Sequence, residues 1–184
     1  MKATEVLREE HNAVKLALSI LSHVSHKLES REEVDKEDLD HILDFLKTFV
    51  DTCHHGKEED LLFVAMQSAG ISRARGPIGV MLKEHKTGRS YVGNMGEAVE
   101  KYNTGELSYS SRFVESAKKY VELLNRHIEK EESILYPMAD MQLPEETQHD
   151  LIEEFEKLEQ DRIGIGKHEK LHELLHNLKD KYLE

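Results

Sequence analysis

Residues 54–63 read HHGKEEDLLF, and residues 127–136 read HIEKEESILY. Both stretches follow the pattern His-x-x-x-Glu-Glu-x-aliphatic-Leu-aromatic, as two copies of one unit would. Each copy is preceded by a Glu-His pair, Glu10-His11 for the first and Glu84-His85 for the second. The distances also agree, because His11 precedes His54 by 43 residues and His85 precedes His127 by 42. This duplication predicts two matching helix pairs.

A single His-x-x-x-Glu pair is a weak signal, because residues four apart are neighbours on any helix face. The chain has such pairs beginning at His54, His55, His127 and His149. Two of them lie in matching ten-residue stretches, each with a Glu-His pair at a similar distance upstream. That combination is much more specific than any one pair.

Apolar residues recur at helical spacing through almost the whole chain, and strand-like alternation is scarce. The predicted helices cover residues 4–29 with Thr4 as cap, 35–68, 77–102, 108–138 with Pro137 at the end, 145–161 and 167–182. A turn is predicted at Asn103-Thr104-Gly105, and a hinge or tight connection at residues 163–166. Four long helices with short loops favour an all-α, antiparallel up-down-up-down four-helix bundle with extra C-terminal helices. We expect a single domain over residues 1–184, with the bundle in residues 1–140 and a packing extension in 141–184.

The duplicated residues have the chemistry of a metal centre. An imidazole and a carboxylate four residues apart point to the same helix face and can bind one ion together, and a carboxylate can also bridge two ions. Helical bundles build dinuclear sites from such side chains on facing helices. A nitrogen and oxygen set without thiolate suits iron or manganese, and zinc can also occupy it. The predicted ligands are His11, His54, Glu58, His85, His127 and Glu131.

The composition narrows the possible partners. The formal net charge of −12 argues against non-specific binding to nucleic acid and against an anionic membrane surface. No apolar run approaches the roughly 18 residues that would span a bilayer. The acidic N-terminal stretch is unlike a signal peptide, so we expect a cytoplasmic protein. Cys53 is the single cysteine and is expected to be a buried, inert thiol.

Residues 1–140 resemble the hemerythrin HHE cation-binding family. The resemblance rests on four motifs, Glu10-His11, His54-x-x-x-Glu58-Glu59, Glu84-His85 and His127-x-x-x-Glu131-Glu132. The resemblance implies a four-helix bundle with a non-haem di-iron centre, bridged by two carboxylates and an oxo or hydroxo group. It implies that the four histidines are imidazole ligands and that Glu58 is one bridge. Oxygen-carrying members place the second bridge five residues after the histidine, at Glu132, whereas bacterial relatives place it four after, at Glu131. The internal repeat favours Glu131.

One position departs from the oxygen-carrying members, which have a further histidine where this chain has Arg89. The metal pair is then more symmetric, has an open position, or recruits another residue. The departure argues against reversible oxygen carriage. An open coordination position would instead favour reactivity, or sensing of oxygen, nitric oxide or peroxide.

Several residues near the predicted ligands have less certain roles. His55 lies about 100° around the helix from His54 and is expected at the surface. For Glu59 and Glu132 two roles are equally expected, that of an additional metal ligand and that of an acceptor for a histidine N–H group. Glu10 and Glu84 are expected to be solvated charges, with orientation of the neighbouring helices or shielding of the site as the alternative, and Glu84 is also a candidate beside the ligands. Arg89 either pairs with Glu84 or a bridging carboxylate or lies at the surface. His168 belongs to a stripe with His172 and His176 that is expected to flank a packing helix, although it can also fold over the bundle end and supply the missing ligand.

Three functions remain open at this stage. The leading hypothesis is a di-iron protein that binds or senses O2, NO or a related small ligand. The second is a redox enzyme that reduces peroxide or NO or repairs iron centres. The third is a metal store or a zinc-bound structural module. The sequence leaves open whether the chain is an enzyme and which oligomeric state it adopts.

Overall fold

The structure is a computed structural model that describes residues 1–102 and 107–183. The predicted turn at 103–105 therefore lies outside the described residues. Within them the chain is helical and contains no strand, so the all-α prediction is confirmed. No helix in these residues is both long enough and apolar enough to cross a lipid bilayer.

Four long helical segments make up most of the described chain. The first is α1, Ala3–Glu29, and the third is α4, Pro77–Lys101. The second runs without a break through α2 (Lys36–Phe45), π1 (Leu46–His55), π2 (Glu58–Leu62) and α3 (Phe63–Ser68). The fourth runs through α5 (Leu107–Lys130), π3 (Glu131–Leu135) and α6 (Tyr136–Gln142). The extension consists of α7, Glu145–Arg162, and α8, Lys167–Tyr182.

Two helix ends differ from the prediction. Thr4 is not the cap of α1, because the helix begins at Ala3, and the Thr4 hydroxyl donates a 2.6 Å hydrogen bond to Asp140 instead. Pro137 does not end the fourth segment. It lies in the first turn of α6, directly after π3, where a missing backbone N–H is tolerated. The predicted tight connection at 163–166 is present, and Gly164 and Gly166 there adopt positive φ angles of 87° and 76°.

The wide π turns coincide with the duplicated stretches. π1 ends at His55, π2 begins at Glu58, and π3 begins at Glu131. Short π segments inside α-helices are frequent at functional sites, because they turn side chains away from the regular helical spacing. Apolar periodicity in the sequence does not reveal them.

Two apolar clusters lie on either side of a polar layer along each long segment. In α1, for example, Ala3 and Leu7 belong to one cluster, while Val14 to Leu28 belong to the other. The extension contributes to both clusters, with α7 residues such as Phe155 in the first and α8 residues such as Leu171 in the second. The buried charged residues fall between the two clusters, so the fold places them away from bulk water.

Candidate metal centre

The structure brings the six predicted ligands together in the polar layer. All are at most 2% exposed, and they come from all four long segments. Together with His55, which was not predicted as a ligand, they form two groups, and within each group the ligand atoms lie within 4.8 Å of one another. The first group contains His11, His54 and Glu131, and the second contains His55, Glu58, His85 and His127.

The two glutamates connect the groups. Glu131 places Oε2 3.2 Å from Nε2 of His11 and Oε1 2.8 Å from Nε2 of His127. Glu58 places Oε2 3.3 Å from Nε2 of His85, while its Oε1 accepts a hydrogen bond from Tyr136 beside the first group. Glu131 therefore contacts histidines of both groups, whereas Glu58 contacts the second group directly and the first through the Tyr136 hydroxyl.

The carboxylate oxygens test whether metal ions fit here. Both oxygens of Glu131 and Oε2 of Glu58 are buried, and no donor among the described residues meets them with hydrogen-bond geometry. A buried carboxylate without such a partner is costly, and a bound cation removes that cost. The inner nitrogens of His85 and His127 also lie only 3.0 Å apart, Nε2 to Nε2, as two ligands of one ion would. The residues present therefore fit a metal centre.

A carboxylate holds the outer ring nitrogen of each of the four predicted histidines. The Nδ1 distances are 2.9 Å for His11 to Glu132, 2.8 Å for His54 to Glu10, 2.7 Å for His85 to Glu59 and 2.9 Å for His127 to Glu84. An acceptor at Nδ1 fixes the ring orientation and leaves Nε2 for an ion. Glu59 and Glu132 thus act as acceptors in this structure. The expectation that Glu10 and Glu84 are solvated charges was wrong, because each sits against a buried imidazole.

A cation in turn pairs with each of these outer carboxylates. Lys57 donates to Glu10, and Lys130 donates to Glu84 at the equivalent place in the other half. Lys15 lies 2.8 Å from Glu132, and Arg89 lies 2.7 Å from Glu59. Arg89 also donates to Asp51, so it pairs with neither Glu84 nor a bridging carboxylate. The duplication therefore extends from the inner residues to their outermost charge partners.

The interior carboxylates favour positive charge on the imidazoles. Burial opposes protonation of His127, but Glu131 and Glu84 outweigh it and raise its pKa to about 9. The pKa of His85 is raised well above its usual range, where burial is again outweighed by Glu131, Glu58 and Glu59. Burial alone would raise the pKa of Glu131, yet His127, His11 and His85 hold it well below the usual value. The same excess of negative charge attracts metal cations.

A family model for the hemerythrin HHE cation binding domain matches residues 2–139. The chain belongs to this family. No curated protein and no solved structure matches it significantly. The match covers the first three long segments, the fourth as far as residue 139, and every residue of the two groups. This hemerythrin HHE domain is therefore a metal-binding domain, and iron is the typical metal of the family.

His55 is the largest departure from the sequence prediction for this hemerythrin domain. It was expected at the surface but is only 4% exposed, and its ring stacks on that of His85 with 3.9 Å between centroids. Burial and the neighbouring imidazoles hold its pKa well below the usual value, so the ring is neutral. His55 was expected at the surface because it lies on a different side of its own helix from His54. That side is buried, because the third long segment packs against it.

Tyr136 lies beside the predicted ligands, and the ligand pattern did not reveal it. Its ring is fully buried and stacks on His11, and its hydroxyl donates a 2.7 Å hydrogen bond to Glu58. Burial and the nearby carboxylates raise the pKa of the phenol well above its usual value, so it stays protonated. Phe63 occupies the equivalent position and stacks on His85. The one signal in the sequence was this Phe/Tyr difference at the ends of the two repeated stretches.

His168 does not join either group of the hemerythrin centre. Its Nδ1 lies 2.9 Å from Glu159, and its Nε2 lies 2.9 Å from Nε2 of His172. Glu159 also accepts a hydrogen bond from Lys57, so the extension contacts one of the outer charge partners of the centre. The suggestion that His168 supplies the missing ligand is therefore wrong for this structure. Cys53 is buried, and burial raises its pKa to about 12, in agreement with an inert thiol.

Proposed function

We propose that this hemerythrin HHE domain holds a dinuclear iron centre that binds O2, NO or a related small ligand, for sensing or for protection against these molecules. The observation that carries the proposal is the pair of buried glutamates, of which Glu131 contacts histidines of both groups and Glu58 contacts the second group directly and the first through Tyr136. Neither has a full set of hydrogen-bond donors, so two cations are the simplest way to balance them.

The proposal assigns one ion to each group. His11 and His54 would hold the first ion, His85 and His127 would hold the second, and Glu58 and Glu131 would bridge them. Iron bound in this way would supply reversible electron exchange and a binding position for a small ligand. The set of imidazole and carboxylate donors without thiolate supports iron over softer metals, while zinc and manganese remain competitors in the test.

We also propose the antiparallel up-down-up-down bundle as the arrangement around the centre. The order of the two apolar clusters along the chain supports it. α1 and α4 begin in the cluster of Leu7 and Ile78, whereas the second and fourth segments begin in the cluster that contains Phe45 and Phe113 and end in the other. Successive segments then run in opposite directions past the polar layer. The contact of Thr4 with Asp140 agrees, because it joins the start of the first segment to the end of the fourth.

The residues around the centre would control access and protonation. The two apolar clusters keep bulk water from the ions, which strengthens electrostatic interactions inside. The Tyr136 hydroxyl holds one proton next to the first group and hydrogen-bonds Glu58. A cavity of about 150 Å³ lies beside the second group, and its lining includes His55, Gly88, Val92 and Tyr120. It is wide enough for a molecule of two or three atoms. The free, unpaired Cys53 suits the cytoplasmic location that we propose.

The test is metal content and spectroscopy of the full chain expressed in iron-supplemented cells. We expect about two iron atoms per chain, visible absorption in the oxidised state, and a spectral change when NO or O2 is added anaerobically to the reduced protein. The exposed variant His149→Gln is the matched control, and it should keep both metals. The variant Glu131→Gln should lose them.

A colourless protein filled with zinc would reject the proposal and favour a structural module. Turnover assays with the reduced protein address the second hypothesis. Sustained consumption of peroxide or NO would show an enzyme, whereas binding without turnover would support a sensor or binding protein.

A further inference from the structure

The two halves of the chain differ at one buried position beside the second group. His55 directly follows His54, and the equivalent residue after His127 is Ile128. Both are buried, at 4% and 3% exposure. An isoleucine satisfies the packing in one half, so packing alone does not require an imidazole in the other.

The His55 ring lies among the ligand atoms of the second group. One of its nitrogens is within 4.8 Å of the donors of Glu58, His85 and His127. The ring is nearly parallel to that of His85, with an interplanar angle of 17°, and its centroid is 5.8 Å from that of His127. For all three imidazoles to bind one ion, the stacked rings of His55 and His85 must tilt apart, because each nitrogen lone pair lies in the plane of its ring.

Two charged residues hold His55 in this position, and the other half lacks their arrangement. Asp51 lies 3.4 Å from Nδ1 of His55, and Arg89 donates to Asp51 at 2.7 Å. Arg89 also donates to Glu59, the carboxylate that contacts Nδ1 of His85. One guanidinium therefore binds the carboxylates that contact both stacked rings, Asp51 at His55 and Glu59 at His85. The residues equivalent to Asp51 and Arg89 are Leu124 and Lys15. His55 thus has a carboxylate behind it, as the four predicted ligands do.

We propose that His55 is a fifth imidazole ligand, which binds the ion of the second group and makes the two metal positions unequal. The inference rests on the proposed dinuclear centre. With Nδ1 donating to Asp51, the ion would take Nε2. The first ion then has two imidazoles and the neighbouring Tyr136, whereas the second has three imidazoles. The second position binds its metal more tightly, and the first is the one left open to a small ligand.

The test uses Co2+ and the metal-free full chain, compared with His55→Ile, which copies the other half. We expect wild-type protein to bind two ions with distinct affinities. His55→Ile should weaken the tighter step by at least about tenfold, since even loss of a residue behind a ligand costs that much. X-ray absorption should show the average imidazole count falling from 2.5 to 2 per ion. His149→Gln is the control and should match wild type.

A measurement on wild-type protein tests the role of His55 even where the His55→Ile variant fails to fold. The Co2+-loaded protein should show five hyperfine-shifted imidazole N–H proton signals, one from each ligand histidine. Four signals, or two equal affinities unchanged in a folded His55→Ile variant, would overturn the role of His55 and leave the dinuclear centre intact. If wild type binds fewer than two ions, the proposed function itself fails, and His55 has no ion to bind.

Discussion

The hydroxyl of Tyr136 lies 2.7 Å from Oε1 of Glu58, and this contact has no equivalent in the other half of the molecule. Phe63 stands at the matching position and has no hydroxyl to offer Glu131. Tyr136 also places its oxygen 3.3 Å from Nε2 of His11. Glu58 therefore has a hydroxyl donor, and among the described residues Glu131 has none.

The variant Tyr136→Phe should remove this donor while keeping the ring and its stacking on His11. We expect the metal-free protein to lose about 1–3 kcal/mol of unfolding free energy, because Oε1 of Glu58 is left buried without its donor. In the iron-loaded protein both ions should remain, and the visible spectrum and the rate of reaction with O2 should change. Unfolding in denaturant and absorption spectroscopy measure these effects.

Tyr102→Phe is the matched control, because the Tyr102 hydroxyl donates to the backbone of Val34 far from the centre. It should lower stability by a similar or smaller amount and leave the spectrum unchanged. A Tyr136→Phe protein with the wild-type spectrum and oxygen reactivity would show that the phenol plays no part in the centre.

Glu10 and Glu84 make equivalent contacts, each with a histidine Nδ1 and a lysine, but they differ in burial. The variants Glu10→Gln and Glu84→Gln therefore test how burial changes the value of the same contact. Glu10 is 7% exposed, and its partner Lys57 is 3% exposed, whereas Glu84 and Lys130 are 17% and 36% exposed. Removing Glu10 leaves a buried ammonium with only Glu159, so we expect a loss of about 3 kcal/mol, and about 1 kcal/mol or less for Glu84. Both changes should weaken metal binding about 10- to 100-fold, since each loosens an imidazole.

Thermal unfolding of the metal-free variants and chelator competition of the loaded ones provide the measurements. Equal losses of stability would contradict the assigned difference in burial. A Glu10→Gln protein with wild-type metal affinity would contradict the role of Glu10 in orienting His54.

Much of the centre could be predicted because its residues repeat. His54, Glu58, His127 and Glu131 lie in matching stretches, and their spacing places each pair on one helix face. The long segments followed from the 3.6-residue periodicity of buried residues such as Leu39 and Phe49. These predictions depend on local spacing, which a single sequence contains.

The residues that were missed depend on what packs against them from elsewhere in the chain. His55 is buried because the third segment covers it, and Glu10 is buried because Lys57 and His54 of the second segment meet it. Neither relationship leaves a periodic trace in the sequence. His54 and His55 lie at the end of a π segment, so the angle between their side chains could not be taken from the ideal α-helix.

The raised pKa of His127 predicts that the metal-free protein loses stability as the pH rises. Its pKa is about 9 in the folded chain and about 6.5 when unfolded, so the native state binds the proton more tightly. The resulting stabilisation is complete below pH 6.5 and disappears as the pH rises through 9. A shift of this size corresponds to about 3 kcal/mol. Thermal unfolding in the presence of a chelator, between pH 6 and 10, measures it.

Metal-loaded protein should show the opposite trend over the same range. An ion needs the neutral imidazole, so it displaces the proton from His127, and its affinity should increase with pH up to about 9. In the metal-free state His127→Gln should flatten part of the pH dependence, and His149→Gln should not. Stability of the metal-free protein that increases from pH 6.5 to 9 would contradict the assignment.

Arg89 and Lys15 occupy equivalent positions in the two halves of the chain. Comparison of Arg89→Ala with Lys15→Ala should therefore distinguish a general loss of stability from a specific effect on the metal centre. Both side chains are more than 40% exposed, so each substitution should change the unfolding free energy by about 1 kcal/mol or less. Lys15 supports only the carboxylate behind His11, whereas Arg89 supports Asp51 and Glu59, behind two stacked imidazoles. We therefore expect Arg89→Ala to release one of the two ions to a chelator about tenfold faster than Lys15→Ala does. Arg89→Lys should be intermediate, because an ammonium cannot hold two carboxylates in a fixed fork. Equal release rates for the two alanine variants would show that the guanidinium does not position the second group.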